Sequence, residues 1–93
     1  GTDLAGALRF AKVADVGDMQ FYVISDGAPD DEAEALAVAH TYQGKIHCIY
    51  VGPEAGSGQK FLERLSLAAG GKFATAAQVV ELAAVTGRLM LNG

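Results

Sequence analysis

Tryptophan is absent from the 93-residue chain, and there is a single cysteine and only two prolines. With one cysteine, Cys48, no internal disulfide can form, so the fold has to rest on its apolar core. Cys48 lies inside the apolar run Ile46 to Val51 and reads as a buried, inert thiol, since no cationic neighbour is evident to activate it. Lysine and arginine are also scarce: seven, scattered singly, against eleven acids, for a net charge of −4. Such a surface argues against a nucleic-acid partner, because phosphate contact needs clustered cations. No apolar run approaches eighteen residues, so no membrane span is expected. The few-cysteine composition is compatible with a reducing, cytoplasmic setting. Ninety-three residues are expected to make one domain.

What is present is a regular alternation of elements. Leu4, Leu8 and Ala11, with Ala7 beside them, make one helical stripe, capped by Thr2 or Asp3. Val13 to Asp18 reads as a connection with Gly17 as its turn. Met19 to Ile24, apolar apart from Gln20, is read as one buried strand stopped by Ser25-Asp26-Gly27. A second helix is expected from Pro29 or Asp30 to Tyr42, with Pro at its first position and acids in its first turn. Its inner face would be Ala35, Leu36, Val38, Ala39 and Tyr42, with Gly44 as the stop. Ile46 to Val51 reads as the second strand. Ser57 or Gly58 to Ala69 reads as a third helix, buried along Phe61, Leu62, Leu65, Ala68 and Ala69. Gly70-Gly71 would end it, Lys72-Phe73-Ala74 would form a short strand, and Ala76 to Leu91 a last helix. Helix, strand, helix, strand, helix, strand, helix implies crossover units and a parallel, Rossmann-like α/β sheet.

The glycine-rich loop Gly52 to Gly58 does not carry a phosphate site. No Walker string occurs, and a dinucleotide fingerprint begun at Gly56 would need glycine where Phe61 stands. His40 reads as a helix-edge residue and His47 as an ordinary strand residue. Asp30 and Asp31 have no nucleophile or electrophile beside them and suit a solvated helix start. Asp26 is the residue best placed for function, because ligands of parallel sheets bind beyond the carboxyl ends of the strands.

Three segments together resemble the carboxyl-terminal portion of a von Willebrand factor type A (VWA) domain. Gly1-Thr2-Asp3-Leu4 with Ala7-Leu8 is similar to that family's threonine loop and helix. Val23 to Asp31, VISDGAPDD, is similar to its strand-end aspartate motif. Lys45 to Gly52, then Phe61-Leu62 and Ala68 to Phe73, are similar to its later strand, helix and paired glycines. The resemblance implies a doubly wound, three-layer α/β/α fold, a non-enzymatic role and a protein partner. It also implies a metal-ion-dependent adhesion site at the carboxyl edge, with Thr2 and Asp26 as ligands to Mg²⁺ or Mn²⁺. The family's Asp-x-Ser-x-Ser turn does not occur in this sequence, so cation binding is expected to be weak or absent. The alternative roles are Thr2 as a helix cap and Asp26 as an Asx-turn residue. Other readings are a small ligand-binding or enzymatic Rossmann-like or flavodoxin-like domain, or a structural piece without metal. Self-association through an exposed sheet edge is the further expectation.

Overall fold

The computed structural model describes residues 3–53 and 56–81. Its elements are helix α1 (Leu4–Ala11), a 3₁₀ turn (Lys12–Ala14), strand β1 (Gln20–Ser25), α2 (Glu32–His40), β2 (Lys45–Tyr50), α3 (Ser57–Ala68) and β3 (Gly70–Thr75). The sheet order is β1-β2-β3, parallel throughout. Each strand therefore pairs with its sequence neighbour, and one helix fills each crossover, as expected of a partial Rossmann-like sheet.

Helices α1 and α2 start where backbone donors find a side chain, whereas α3 starts after Gly56 without one. Asp3 accepts from the Gly6 N–H at 2.9 Å and caps α1. Asp31, not Pro29, sets the start of α2: its carboxylate accepts from the Glu34 N–H at 3.0 Å, in the Asp-x-x-Glu arrangement of a capping box. Pro29 thus precedes the helix, three residues before its first residue, Glu32, instead of opening it. Residues 76–81 are helical as well. Thr75 and Gln78 cap that turn reciprocally, each side chain accepting the other's N–H. The remainder of the helix expected as far as Leu91 lies outside the described residues.

Among the described residues the core lies on one side of the sheet. Ile46, Cys48 and Tyr50 of β2 are buried there against Ala35, Val38 and Ala39 of α2 and Phe61, Leu62 and Leu65 of α3. Leu4, Ala5 and Leu8 of α1 join the same cluster through α2. Ala5 rather than the exposed Ala7 completes the α1 stripe. Tyr42 ties the two helices, donating its hydroxyl to the Leu8 carbonyl at 2.5 Å with its ring edge-on to Phe21.

The opposite face differs from the expectation for β1. Burial alternates along that strand, and Tyr22 and Ile24 are 65% and 66% exposed. The inner residues of the run face the core, while its outer ones line a second face with Ile49 and Ala74 that no helix covers among the described residues. Among the described residues the molecule has two layers instead of three. Only Val79, in the turn after β3, borders this outer face.

Gly70 and Gly71 are part of β3 instead of a mere helix stop. A Cβ on Gly71 would stand 1.8 Å from the Ile46 carbonyl oxygen, so only glycine allows this close approach of β3 to β2. The register slips there: Ile46 opposes Gly70 and Cys48 opposes Phe73, leaving His47 to face two residues in a β-bulge. The His47 ring closes the gap. Its Nδ1 accepts from the Lys72 N–H at 2.9 Å, which leaves Nε2 to donate to the Gln20 side chain. His47 is thereby a cross-sheet brace, a role its position near the strand's start did not disclose.

Candidate functional site

The carboxyl ends of the strands form a crest. β1 delivers Ser25, Asp26 and Gly27 to it, β2 delivers Tyr50 and Val51, and β3 delivers Thr75. Asp26 is exposed, at the first position past β1. One of its oxygens accepts from the Ala28 N–H at 3.2 Å, and the Ser25 hydroxyl accepts from the Gly27 N–H at 3.0 Å. Both are the local turns that short polar side chains make with their own backbone.

The turn is fixed from behind by α3. Gly27 has φ +72°, and a Cβ there would stand 2.2 Å from the Gly58 carbonyl oxygen. In return, a Cβ on Gly58 would stand 1.9 Å from the Asp26 carbonyl oxygen. Loop and helix start therefore meet backbone to backbone, with no side chain between them. Asp26 is held beside the first turn of α3, a juxtaposition across some thirty residues of sequence that spacing did not reveal.

The rest of the glycine-rich loop wraps a tyrosine. The Tyr50 hydroxyl donates to the Pro53 carbonyl, and any Cβ on Gly52 or Gly56 would meet that hydroxyl at 2.6 or 2.7 Å. The glycines serve this close wrapping. Between the ends of β2 and β3 lies a cavity of about 290 Å³, bordered by Tyr50, Val51, Gly52, Gln59 and Thr75.

Thr2, the other ligand implied by the VWA resemblance, lies outside the described residues. No group of three or more His, Cys, Asp or Glu side chains that could hold a metal ion occurs among the described residues. Asp26 supplies one carboxylate with one oxygen engaged in its own turn, too small a donor set for an octahedral cation. Asp31 caps α2.

The strongest electrostatic feature sits at the other end of the sheet. Asp15 is buried, and its two oxygens accept from the Gln43 N–H at 2.6 Å, the Gly44 N–H at 2.7 Å and the Lys12 ammonium at 3.2 Å. Burial alone would raise its carboxyl, but these donors outweigh burial and hold it below its ordinary value. Burial, and then the charge of Asp15, push the Tyr42 hydroxyl up. Burial also pushes the Cys48 thiol up to about 12, as expected of an inert core cysteine. Asp15 therefore clamps the turn before β2 to the turn after α1. It is a structural device and not part of the crest.

No family model, curated protein or solved structure matches the chain.

Proposed function

We propose that the chain is a non-enzymatic protein-interaction module of the kind its VWA-like motifs imply, presenting the crest around Asp26. The observation that carries the reading is an exposed carboxylate at the carboxyl end of a parallel strand, on a turn fixed against the first turn of α3. Parallel sheets bind their ligands at this end. Protein contacts there would be made by Asp26 and the neighbouring loop residues. Mg²⁺ or Mn²⁺ would join them only with ligands beyond the described residues.

The cavity between Tyr50 and Thr75 favours a second reading, a small-ligand site in a Rossmann-like domain. One thermal-shift experiment separates the two, since any ligand of the native state raises its melting temperature. Wild type and Asp26→Asn are heated with millimolar Mg²⁺ or Mn²⁺ and, separately, with a panel of nucleotides. The interaction reading expects no nucleotide response, and a cation response only if it vanishes in Asp26→Asn. A nucleotide shift that persists in chelator would overturn it in favour of the cavity.

A further inference from the structure

The two outer edges of the sheet are not alike. β3 carries Lys72 in mid-strand and the bulge opposite His47, two devices that discourage another strand from pairing. β1 has neither. Met19 to Ser25 contains no charged residue and no proline, and among the described residues nothing pairs its outer side.

The direction of its open groups follows from two hydrogen bonds. The Met19 carbonyl accepts from the Lys45 N–H at 3.1 Å, and the Ser25 carbonyl accepts from the Val51 N–H at 3.0 Å. Odd-numbered residues of this strand thus bond inward to β2. By alternation, the N–H and C=O groups of Gln20, Tyr22 and Ile24 point outward. Phe21 and Val23, whose β2 counterparts Ile46 and Cys48 are fully buried, remain half-buried along the same edge.

Charge frames this edge. From Val13 to Ala39 the chain holds no Lys, Arg or His. Asp18 stands exposed just before β1 and Asp26 exposed just after it. Lys45 lies one strand further in, opposite Gln20.

We propose that the outer edge of β1 takes up an extended segment of a partner protein, apolar along its middle and basic at both ends. Its backbone would complete the ladder at Gln20, Tyr22 and Ile24, and its apolar side chains would cover Phe21 and Val23 on one face and flank Tyr22 and Ile24 on the other. A second copy of this chain fits poorly. Two identical edges pair about a two-fold axis, which is antiparallel and sets Asp18 of each copy beside Asp26 of the other. Like charges facing across a ladder are destabilising.

The test uses the heptapeptide Lys-Val-Thr-Val-Ile-Val-Lys, blocked at both ends and N-methylated at alternate residues so that only one edge can form a ladder. Controls are the same peptide with Glu at both ends, and one with the methyl groups moved to the ladder edge. Binding is followed in EDTA, so that the outcome is independent of any cation at the crest. At low ionic strength, about 20 mM, the Lys peptide is expected to bind roughly tenfold tighter than the Glu peptide. It should slow amide exchange at Gln20, Tyr22 and Ile24. The paired changes Asp18→Asn and Asp26→Asn should bring the two peptides together. Equal affinity for both peptides, indifference to the methyl positions, protection elsewhere, or dimerisation through β1 without peptide would each overturn the proposal.

Discussion

Replacing Gly58 by alanine should loosen the crest without touching any exposed residue of it. The added Cβ would lie 1.9 Å from the Asp26 carbonyl oxygen, where real Cβ contacts stay beyond about 3.0 Å. The obstacle is backbone on both sides, so no side chain can rotate away, and the first turn of α3 has to part from the Asp26 turn. Overpacking of this kind costs about 1–3 kcal/mol. Alanine's better helix propensity returns up to about 1 kcal/mol. Taking about 2 kcal/mol for the clash and about 1 kcal/mol returned, the net loss is about 1 kcal/mol, which for a domain of this size lowers the melting temperature by roughly 4–8 °C. The assay is thermal and urea unfolding, with Gly17→Ala as the control. Gly17 has φ +61° but nothing within 4 Å of its would-be Cβ, so it reports backbone strain alone. Gly58→Ala should in addition shift the amide resonances of residues 25–28, which Gly17→Ala should leave in place. A Gly58→Ala protein as stable as wild type, with those resonances unmoved, would refute the backbone-to-backbone contact and with it the fixed position of Asp26.

The remaining expectations concern the clamp and the core. Because the Asp15 carboxyl is held below its ordinary 3.8, its contribution is complete above that value and is lost as pH falls through the lower folded value. Acid unfolding of wild type should therefore steepen below pH 3.8, and Asp15→Asn should be less stable at neutral pH with a flatter acid limb; an identical acid limb would refute the clamp. With its thiol pushed up to about 12 and the side chain buried, Cys48 should react with thiol reagents only when the fold opens. Its labelling rate should follow the unfolding equilibrium across a urea series, and rapid labelling of the native protein would contradict its burial.

The sequence disclosed most where a pattern was local. The Phe61, Leu62, Leu65 stripe of α3 lies where spacing placed it, and β2, Lys45–Tyr50, falls within one residue of the strand expected at Ile46 to Val51. Asp26 also stands on an exposed turn past a strand end, as the Ser-Asp-Gly stop implies. Errors arose where a local signal was outweighed by a neighbour or answered from far away. Pro29 looked like a first helical residue, but the Asp31–Glu34 box is the stronger start signal and was available in the sequence. Gly71 looked like a stop, whereas its reason is the Ile46 carbonyl twenty-odd residues earlier. The apolar run of β1 gave no hint that Tyr22 and Ile24 face outward, because apolar side chains are common on protein surfaces as well as in cores. Asp15 falls inside the connection Val13 to Asp18, where nothing in the sequence singles it out. Its partners are the N–H groups of Gln43 and Gly44, and a backbone donor leaves no mark in a sequence.

The consecutive order of the strands bears on how this fold is acquired. Each ladder closes over a single crossover, Gln20 against Lys45 and then Ile46 against Gly70, and neither needs a segment from the far side of the other. The β1-α2-β2 unit is thus complete, backbone and inner helix together, once the chain has been made as far as Tyr50. During synthesis, which proceeds from the amino terminus, β2 would already stand as a template when α3 and β3 emerge. The loop-closure entropy of the second unit is then spent against a preformed strand. Folding by accretion of this kind lays β1 down early, and among the described residues nothing pairs its outer groups. During that interval the edge is open to pairing with the wrong strand.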